Sequence, residues 1–444
     1  MSAAQLACLI LAGGKGTRMR SRTPKLLHEV LGRPLLGWSM AAVEELAATP
    51  TVVIVPPDAG DLEQLVPGWA TTAVQEQARG TGDAAMSARG ALGGFEGDVL
   101  VLNADHPLVD AGTLRELVDA HRSAGAAATV LTFDRTETIG DDFGRIVRDP
   151  SGKVERIVEL RDADAGQREI REVNAGYYVF RSDALWPALD GLRPDNDQGE
   201  LYITDAVGAL AAAGGVHAHV HRDSVVAMGI NTRADLAEAA AVLRSRVNRA
   251  HMLAGVTILD PASTHIDADV TIEPDAVIEP FTVLRGATSV GEGATVGPHV
   301  VAVDARIGAE ASVGPFASLR PGTVLERGAK AGTFVELKNA ELGERAKVPH
   351  LSYIGDAEIG AGTNVGAGGI TANYDGESKQ RTVIGRDVHT SCHNVFVAPV
   401  TIGDGAWTAA GSVITTDVPP DALGVARARQ TNIEGYGKRK RRQR

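Results

Sequence analysis

Cysteine is nearly absent: Cys8 and Cys392 are the only two, and they lie far apart. Two isolated thiols make neither a disulfide framework nor a cysteine metal centre, which fits a reducing cytoplasm. Aromatic residues make up only 4% of the chain, against 51 glycines. That balance suits a repeat fold of tight corners better than one large aromatic-filled core. Excess positive charge is missing as well. The formal net charge is -12, which argues against a general nucleic-acid binder and leaves anionic ligands to local basic pockets. The start, Met1-Ser2-Ala3-Ala4-Gln5, has no basic flank, and the apolar run Leu6 to Ala12 is too short for a signal core. No apolar run is long enough to span a bilayer. The expectation is a cytoplasmic protein without a membrane span or a nucleic-acid partner.

At 444 residues the chain has room for two or three domains. Its first part alternates strand and helix signals. Leu6 to Leu11, Thr51 to Val55 and Asp98 to Leu102 are apolar runs closed by turn residues, with helical patterns between them. This is the pattern of βαβ units around a mostly parallel, Rossmann-like sheet. A hairpin, Gly144 to Arg148 and then Val154 to Leu160, interrupts it. From Thr232 the pattern is helical: Thr232 and Asp235 have capping-box spacing, Leu236, Leu243 and Val247 follow at helical intervals, and Gly255 ends the run. The spacing predicts a connecting helix over 232–254 between a front domain, 1–231, and a back domain, 255–432. A basic tail, 433–444, follows, and its Lys/Arg run is expected to stay solvated and disordered, contact with an anionic partner being the alternative.

The back domain counts in sixes. Ile266, Ile272, Ile278, Leu284, Val290 and Val296 are six apart; Ile307, Val313, Leu319 and Leu325 resume after a slip; Leu342, Val348, Ile354, Ile359 and Val365 continue. An inward aliphatic every six residues is one flat face of a left-handed parallel β-helix. Two polar interruptions, Phe334 to Asn339 and Ala367 to Gly376, flank His350-Leu351-Ser352-Tyr353 and read as breaks in the count. A β-helix core needs none of these polar residues.

In the front domain Leu11-Ala12-Gly13-Gly14-Lys15-Gly16-Thr17-Arg18-Met19 is a glycine-rich loop after a strand. It is neither a Walker A loop nor the dinucleotide fingerprint. Its glycines let backbone N–H groups approach phosphate oxygens, with Arg18 and Lys25 adding charge. The alternative is a plain tight strand–helix turn. Gly-x-Gly-Thr-Arg-Met followed by Pro24-Lys25 resembles the sugar-nucleotide pyrophosphorylases. That resemblance implies an α/β nucleotidyltransferase holding UTP or its UDP-sugar product. Its contacts would be Leu11, Ala12, Gly13, Gly14, Lys25, Gln75, Gly80, Thr81, Asn103 and Asp105, with Gly144, Glu159 and Asn174 at the sugar. Asp105 and Asn231 would be Mg²⁺ ligands. Asp105 ends a strand, where open α/β sheets bind ligands. Asn103-Ala104-Asp105 departs from the family's usual aromatic-Gly-Asp, which bears on base and ribose contacts at Asn103. The implied reaction is in-line attack of a sugar 1-phosphate on the α-phosphorus of UTP, with Arg18 and Lys25 neutralising charge.

Arg320, Phe334 to Lys338, His350 to Tyr353, Gly366 to Gly368 and Asn373 to Gly376 resemble, in order and spacing, the acetyltransferase half of a bifunctional family. Its members combine UDP-N-acetylglucosamine pyrophosphorylase and glucosamine-1-phosphate N-acetyltransferase activities. The resemblance covers nearly the whole chain. It implies His350 as general base. Arg320, Lys338, Tyr353 and Asn364 would contact glucosamine 1-phosphate, and Ala367, Asn373, Tyr374, Ser391, Ala410 and Arg427 acetyl-CoA. It also implies a homotrimer, N-acetylglucosamine 1-phosphate as the sugar that meets UTP, and a product for bacterial cell-wall synthesis. Ala372 stands where many family members carry cysteine, so reduced sensitivity to thiol reagents is expected, with Cys392 the remaining target. The alternative is a single-activity nucleotidyltransferase whose β-helix serves oligomerisation.

Overall fold

The computed structural model describes residues 5–14, 16–136, 139 and 142–443. Lys15 of the glycine-rich loop and the terminal Arg444 therefore lie outside the described residues. The chain divides into two compact units between Leu243 and Arg244.

The first unit is an α/β fold built on a mostly parallel sheet. Its main sheet runs in the order Val216–Val220, Ala128–Asp134, Glu172–Arg181, Asp98–Asn103, Leu6–Leu11, Thr51–Val55, Thr71–Val74. Every pairing along this path is parallel except those of Glu172–Arg181, which runs against both neighbours. The central strands are buried on both faces, which is why Leu6–Leu11 and Thr51–Val55 read as unbroken apolar runs rather than alternating ones. The hairpin Arg145–Arg148 and Val154–Val158 joins the sheet at Val173.

The helix Arg233–Leu253 contains the division between units. Asp235 accepts N–H bonds from Asn231 and Thr232, and the Thr232 hydroxyl accepts from Asp235 N–H. This reciprocal cap satisfies orphan donors at the helix start. In the second unit Asn248, fully buried, donates to the carbonyls of Pro261 and Thr264 at the first turns of the β-helix.

The second unit is a left-handed parallel β-helix of two- and three-residue strands with a few longer ones, stacked coil on coil. The counted aliphatics form one continuous buried column. One expectation needs correction: there is no break after Leu325. Ala331 and Leu337, both fully buried, carry the count to Leu342, and Glu336–Leu342 is an unbroken strand. A small inward alanine and a leucine flanked by charges hid the repeat. The interruption after Val365 is real. Between Ala372 and Thr382 the chain leaves the coil as a loop, bridged by antiparallel pairing of Tyr374 with Lys379.

At one corner of each coil the residue is held with positive φ: Phe281, His299, Phe316, Phe334, Leu351, Gly368, His393 and Gly411. Left-handed backbone costs a non-glycine residue about 1 kcal/mol. The rings offset that by stacking, with centroids 4.7, 4.8 and 5.3 Å apart from Phe281 to Phe334. Phe281, Phe316, Phe334 and Leu351 are all exposed.

The tail corrects a second expectation. Tyr436–Arg442 is helical rather than irregular, with every side chain exposed. Lys and Arg are good helix formers, and no breaker follows Gly437. Among the described residues no helix is long and apolar enough to cross a membrane.

Candidate active sites

The first site lies at the carboxyl ends of the central parallel strands. A cavity of about 580 Å³ is lined by Leu11, Ala12, Gly13, Gly14, Lys25, Gln75, Gly80, Thr81, Asn103 and Asp105, ten residues singled out above. His106 and Glu200 also line it. Gln75 Nε2 donates to Gly80 O and Asp83 Oδ2, so Asp83 fixes the amide, and Arg79 in turn pairs with Asp83. A Cβ on Gly13 would lie 2.5 Å from Gln75 Oε1. Glycine there is what allows loop and amide to meet.

Asp105 and Asn231 converge although 126 positions apart, because Ile230 N–H donates to Asp105 O at 2.9 Å. Lys25 Nζ is 2.5 Å from Asp105 Oδ2 and 3.4 Å from Asn231 Oδ1, which also accepts from Arg18 Nη2 at 2.8 Å. Burial disfavours the Asp105 carboxylate, but His106 and Lys25 outweigh it and hold the carboxyl below its ordinary range. Two hard oxygens converging on one cation position, beside a cavity, suit a divalent ion that keeps waters and substrate phosphates.

Gly144, Glu159 and Asn174 are absent from that lining and form a group of their own. Gly144 O accepts from Asn174 N–H, and a Cβ on Gly144 would lie 3.5 Å from the Glu159 carboxylate. Asn174 Nδ2 donates to Tyr178 OH. Burial pushes the Glu159 carboxyl up, as do Asp162 and Asp205, against an opposing hydrogen bond from Thr204.

In the second unit the residues fall into two sets. One surrounds Asp356, which the repeat count passed over. Its carboxylate accepts from Asn339 Nδ2 at 2.7 Å and Asn373 Nδ2 at 2.5 Å, with Lys338 Nζ at 3.6 Å. Asn373 Nδ2 is also 3.4 Å from Tyr353 OH, and a Cβ on Gly355 would lie 2.4 Å from that hydroxyl. Arg320 pairs with Glu336. Lys379, from the inserted loop, sits against Lys338, a neighbour that pushes its pKa down.

The other set is a column. Leu351, Gly368, His393 and Gly411 donate N–H bonds to the carbonyls of Thr333, His350, Ala367 and Cys392. His350, Ala367, Cys392 and Ala410 thus precede the same corner on successive coils. At about 4.8 Å per coil the column spans about 14 Å. A Cβ on Gly411 would lie 3.9 Å from Arg427 Cδ, which extends the column by one coil. Ser391 adjoins Cys392, and Asn364 pairs with Lys347 and His389 on a neighbouring strand. Tyr374 is exposed on the loop. Sequence reading passed over Asp83, His106, Asp356 and Lys379. Only His106, a histidine directly after the strand-end aspartate, carried a local signal.

The model for the MobA-like NTP transferase domain matches residues 8–210. Curated relatives match nearly the whole chain. The bifunctional protein GlmU of Streptomyces avermitilis is 48% identical over 98% of this chain and 94% of its own length. The GlmU proteins of Mycolicibacterium vanbaalenii and Mycobacterium tuberculosis are each 46% identical over 98% of this chain, covering 93% and 92% of theirs. The chain belongs to the GlmU family. In GlmU terms the 8–210 match falls on the unit that carries the glycine-rich loop, and the β-helix column lies in the remainder that the relatives also cover.

Proposed function

We propose that this GlmU-family chain catalyses two consecutive transfers. The β-helix acetylates glucosamine 1-phosphate with acetyl-CoA. The first unit then joins the N-acetylglucosamine 1-phosphate to UMP from UTP, releasing pyrophosphate and supplying UDP-N-acetylglucosamine for bacterial cell-wall polysaccharide. The observation that carries this reading is the His350–Ala367–Ala410 column on a chain that also holds the Lys25–Asp105–Asn231 cluster.

In the second unit His350 takes a proton from the sugar amine, and the nitrogen attacks the thioester carbonyl. Arg320 and Lys338 hold the sugar phosphate, with Tyr353 and Asn364 on the ring. Along the column the corner residue is Leu351, then Gly368, His393 and Gly411, two of them without a side chain. An extended cofactor would run past Ala367, Ser391 and Ala410 to Arg427, with Asn373 and Tyr374 beside the acetyl group. In the first unit Gln75, Gly80, Thr81 and Asn103 hold base and ribose, the loop Leu11 to Gly14 holds phosphates, and Gly144, Glu159 and Asn174 hold the sugar. Asp105 and Asn231 would hold Mg²⁺, which would supply charge neutralisation on the phosphates. Arg18 and Lys25 orient the triphosphate and offset its charge, so positioning rather than a protein nucleophile carries the rate.

The assembly we propose is a homotrimer. The exposed stack Phe281–His299–Phe316–Phe334 continues along the same corner into the His350 column, and an apolar patch of this kind marks an interface. A second copy packed on it would border the acetyl-CoA site. Mass analysis of products with glucosamine 1-phosphate, acetyl-CoA, UTP and Mg²⁺, each omitted in turn, tests the two reactions. His350→Ala should abolish acetyl transfer and spare uridylyl transfer. Loss of both or of neither, or full acetyl transfer by a monomer in light scattering, would overturn the reading.

A further inference from the structure

We propose that His106 is a third donor at the divalent-cation site of the first unit, and that its Nε2 shifts the site's preference from Mg²⁺ toward Mn²⁺. The inference rests on the reading of Asp105 and Asn231 as the metal-holding pair. It begins with a tautomer. Tyr177 O–H donates to Val226 O at 2.8 Å, so its oxygen accepts at the 3.1 Å contact with His106 Nδ1. Nδ1 therefore keeps its proton, and Nε2 is the nitrogen left to give a lone pair to a metal ion. Nε2 lies 3.6 Å from Asp105 Oδ1, the carboxylate oxygen that Lys25 leaves to others.

Both residues line the cavity, so an ion there has the imidazole nitrogen and the carboxylate oxygen side by side. Neighbouring ligands of an octahedral or tetrahedral ion sit roughly 3.0–3.4 Å apart, given bonds of about 2.1 Å. The observed gap needs to close by only a few tenths of an ångström. The ring is not free to swing away. It stands edge-on to Tyr177 with centroids 5.4 Å apart, and a Cβ on Gly229 would lie 2.8 Å from Nε2. Glycine at 229 keeps Nε2 accessible next to the Ile230–Asn231 segment. Among the described residues no three His, Cys, Asp or Glu side chains form a metal cluster; the set proposed here is one carboxylate, one amide and one imidazole. An oxygen pair suits Mg²⁺, and an added imidazole tilts the site toward first-row transition ions, of which Mn²⁺ is the one that also accepts the carboxylate and water ligands Mg²⁺ uses.

Mn²⁺ bound to the full-length protein with UTP, without sugar phosphate, is followed by electron paramagnetic resonance. In wild type, pulsed spectra should show nitrogen coupling that changes frequency when histidine carries the heavier nitrogen isotope. His106→Ala and His106→Gln should each weaken Mn²⁺ binding about tenfold and Mg²⁺ binding by less than about threefold. A wild-type spectrum with no histidine coupling, which requires no variant to fold, would overturn the proposal, as would an unchanged Mn²⁺/Mg²⁺ ratio in folded variants. Asp105→Asn separates the two readings. If it loses Mn²⁺ while histidine stays silent, only the His106 inference fails. If it binds Mn²⁺ like wild type, the metal-site reading itself fails.

Discussion

Replacing Asp356 by asparagine removes one charge from the second site and little else. The carboxylate is 12% exposed, accepts one amide N–H from Asn339 and one from Asn373, and faces Lys338 Nζ at 3.6 Å. The residue sits at φ 48°, a left-handed conformation that asparagine adopts as readily as aspartate. An amide keeps one acceptor oxygen and turns the other into a donor, so one of the two Asn partners loses its bond and meets an N–H₂. A hydrogen bond to a charged group contributes about 1.5–3 kcal/mol. With the loss of the Lys338 counter-charge the local cost is roughly 2–3 kcal/mol, or about thirty- to a hundred-and-fiftyfold in acetyl-transfer kcat/KM. Steady-state kinetics should show the Michaelis constant for glucosamine 1-phosphate rising through Lys338 and kcat falling through Asn373. Uridylyl transfer should be unaffected. The pH behaviour follows from the same contacts. Burial opposes ionisation of Asp356, but the two amides and Lys338 outweigh it, and the carboxyl lies below its ordinary range. Its stabilisation is therefore complete above the unfolded value of about 3.9 and is lost as pH falls through the lower folded value. The stability gap between wild type and variant should be flat near neutrality and narrow only in acid. Acetyl transfer within about threefold of wild type, at unchanged thermal stability, would refute the assignment of Asp356 as the post that positions Asn373 and Lys338.

Gly13→Ala places a methyl group against Gln75 Oε1, and Gln75 is tied to Gly80 and Asp83. Displacing it costs about 1–3 kcal/mol, so the Michaelis constant for UTP should rise roughly five- to hundredfold with acetyl transfer intact. An unchanged constant would exclude Gln75 as a nucleotide contact. Glu159, pushed up chiefly by burial, contributes stability that is fully present below the ordinary Glu value and is lost as pH rises through the folded value. Glu159→Gln should gain on wild type in thermal melts as pH rises above about 4.3 and then level off; a constant difference across pH would contradict this. Alkylation should modify exposed Cys392 and leave buried Cys8 untouched, since burial also pushes the Cys8 thiol up. Because Cys392 lies in the column between Ala367 and Ala410, a bulky thiol reagent should raise the Michaelis constant for acetyl-CoA. Cys392→Ala should abolish that sensitivity, and persistence of the effect in the variant would place the sensitive group elsewhere.

The six-residue count was legible because a β-helix coil puts one aliphatic inward on every face, and such a pattern survives without knowledge of neighbours. It failed at Ala331 and Leu337, where the inward residue was too small or too closely flanked by charge to stand out, although both are fully buried. The glycine-rich loop was legible for a related reason. Its residues lie within one short segment, and Gly13 is required by a contact that any side chain would block. Asp83, Asp356 and Lys379 were not legible, because each acts on a partner brought close only by the fold. Asp356 reaches Asn339 across one coil and Asn373 across the next, and no linear spacing announces such a contact.

The corner of the β-helix shows why that loss of legibility concentrates at function. Each coil must turn there through a left-handed residue, so the position recurs whether or not chemistry uses it. Up to Leu351 the corner carries large side chains, and stacking offsets the backbone cost. From Gly368 onward those side chains are missing or polar, and the carbonyls of His350, Ala367 and Cys392 accept the corner N–H of the next coil. Scaffold and site thus differ by side-chain size at one repeated position. An alanine such as Ala367 or Ala410 is indistinguishable from filler in the sequence. Its meaning comes from the coil above and the coil below.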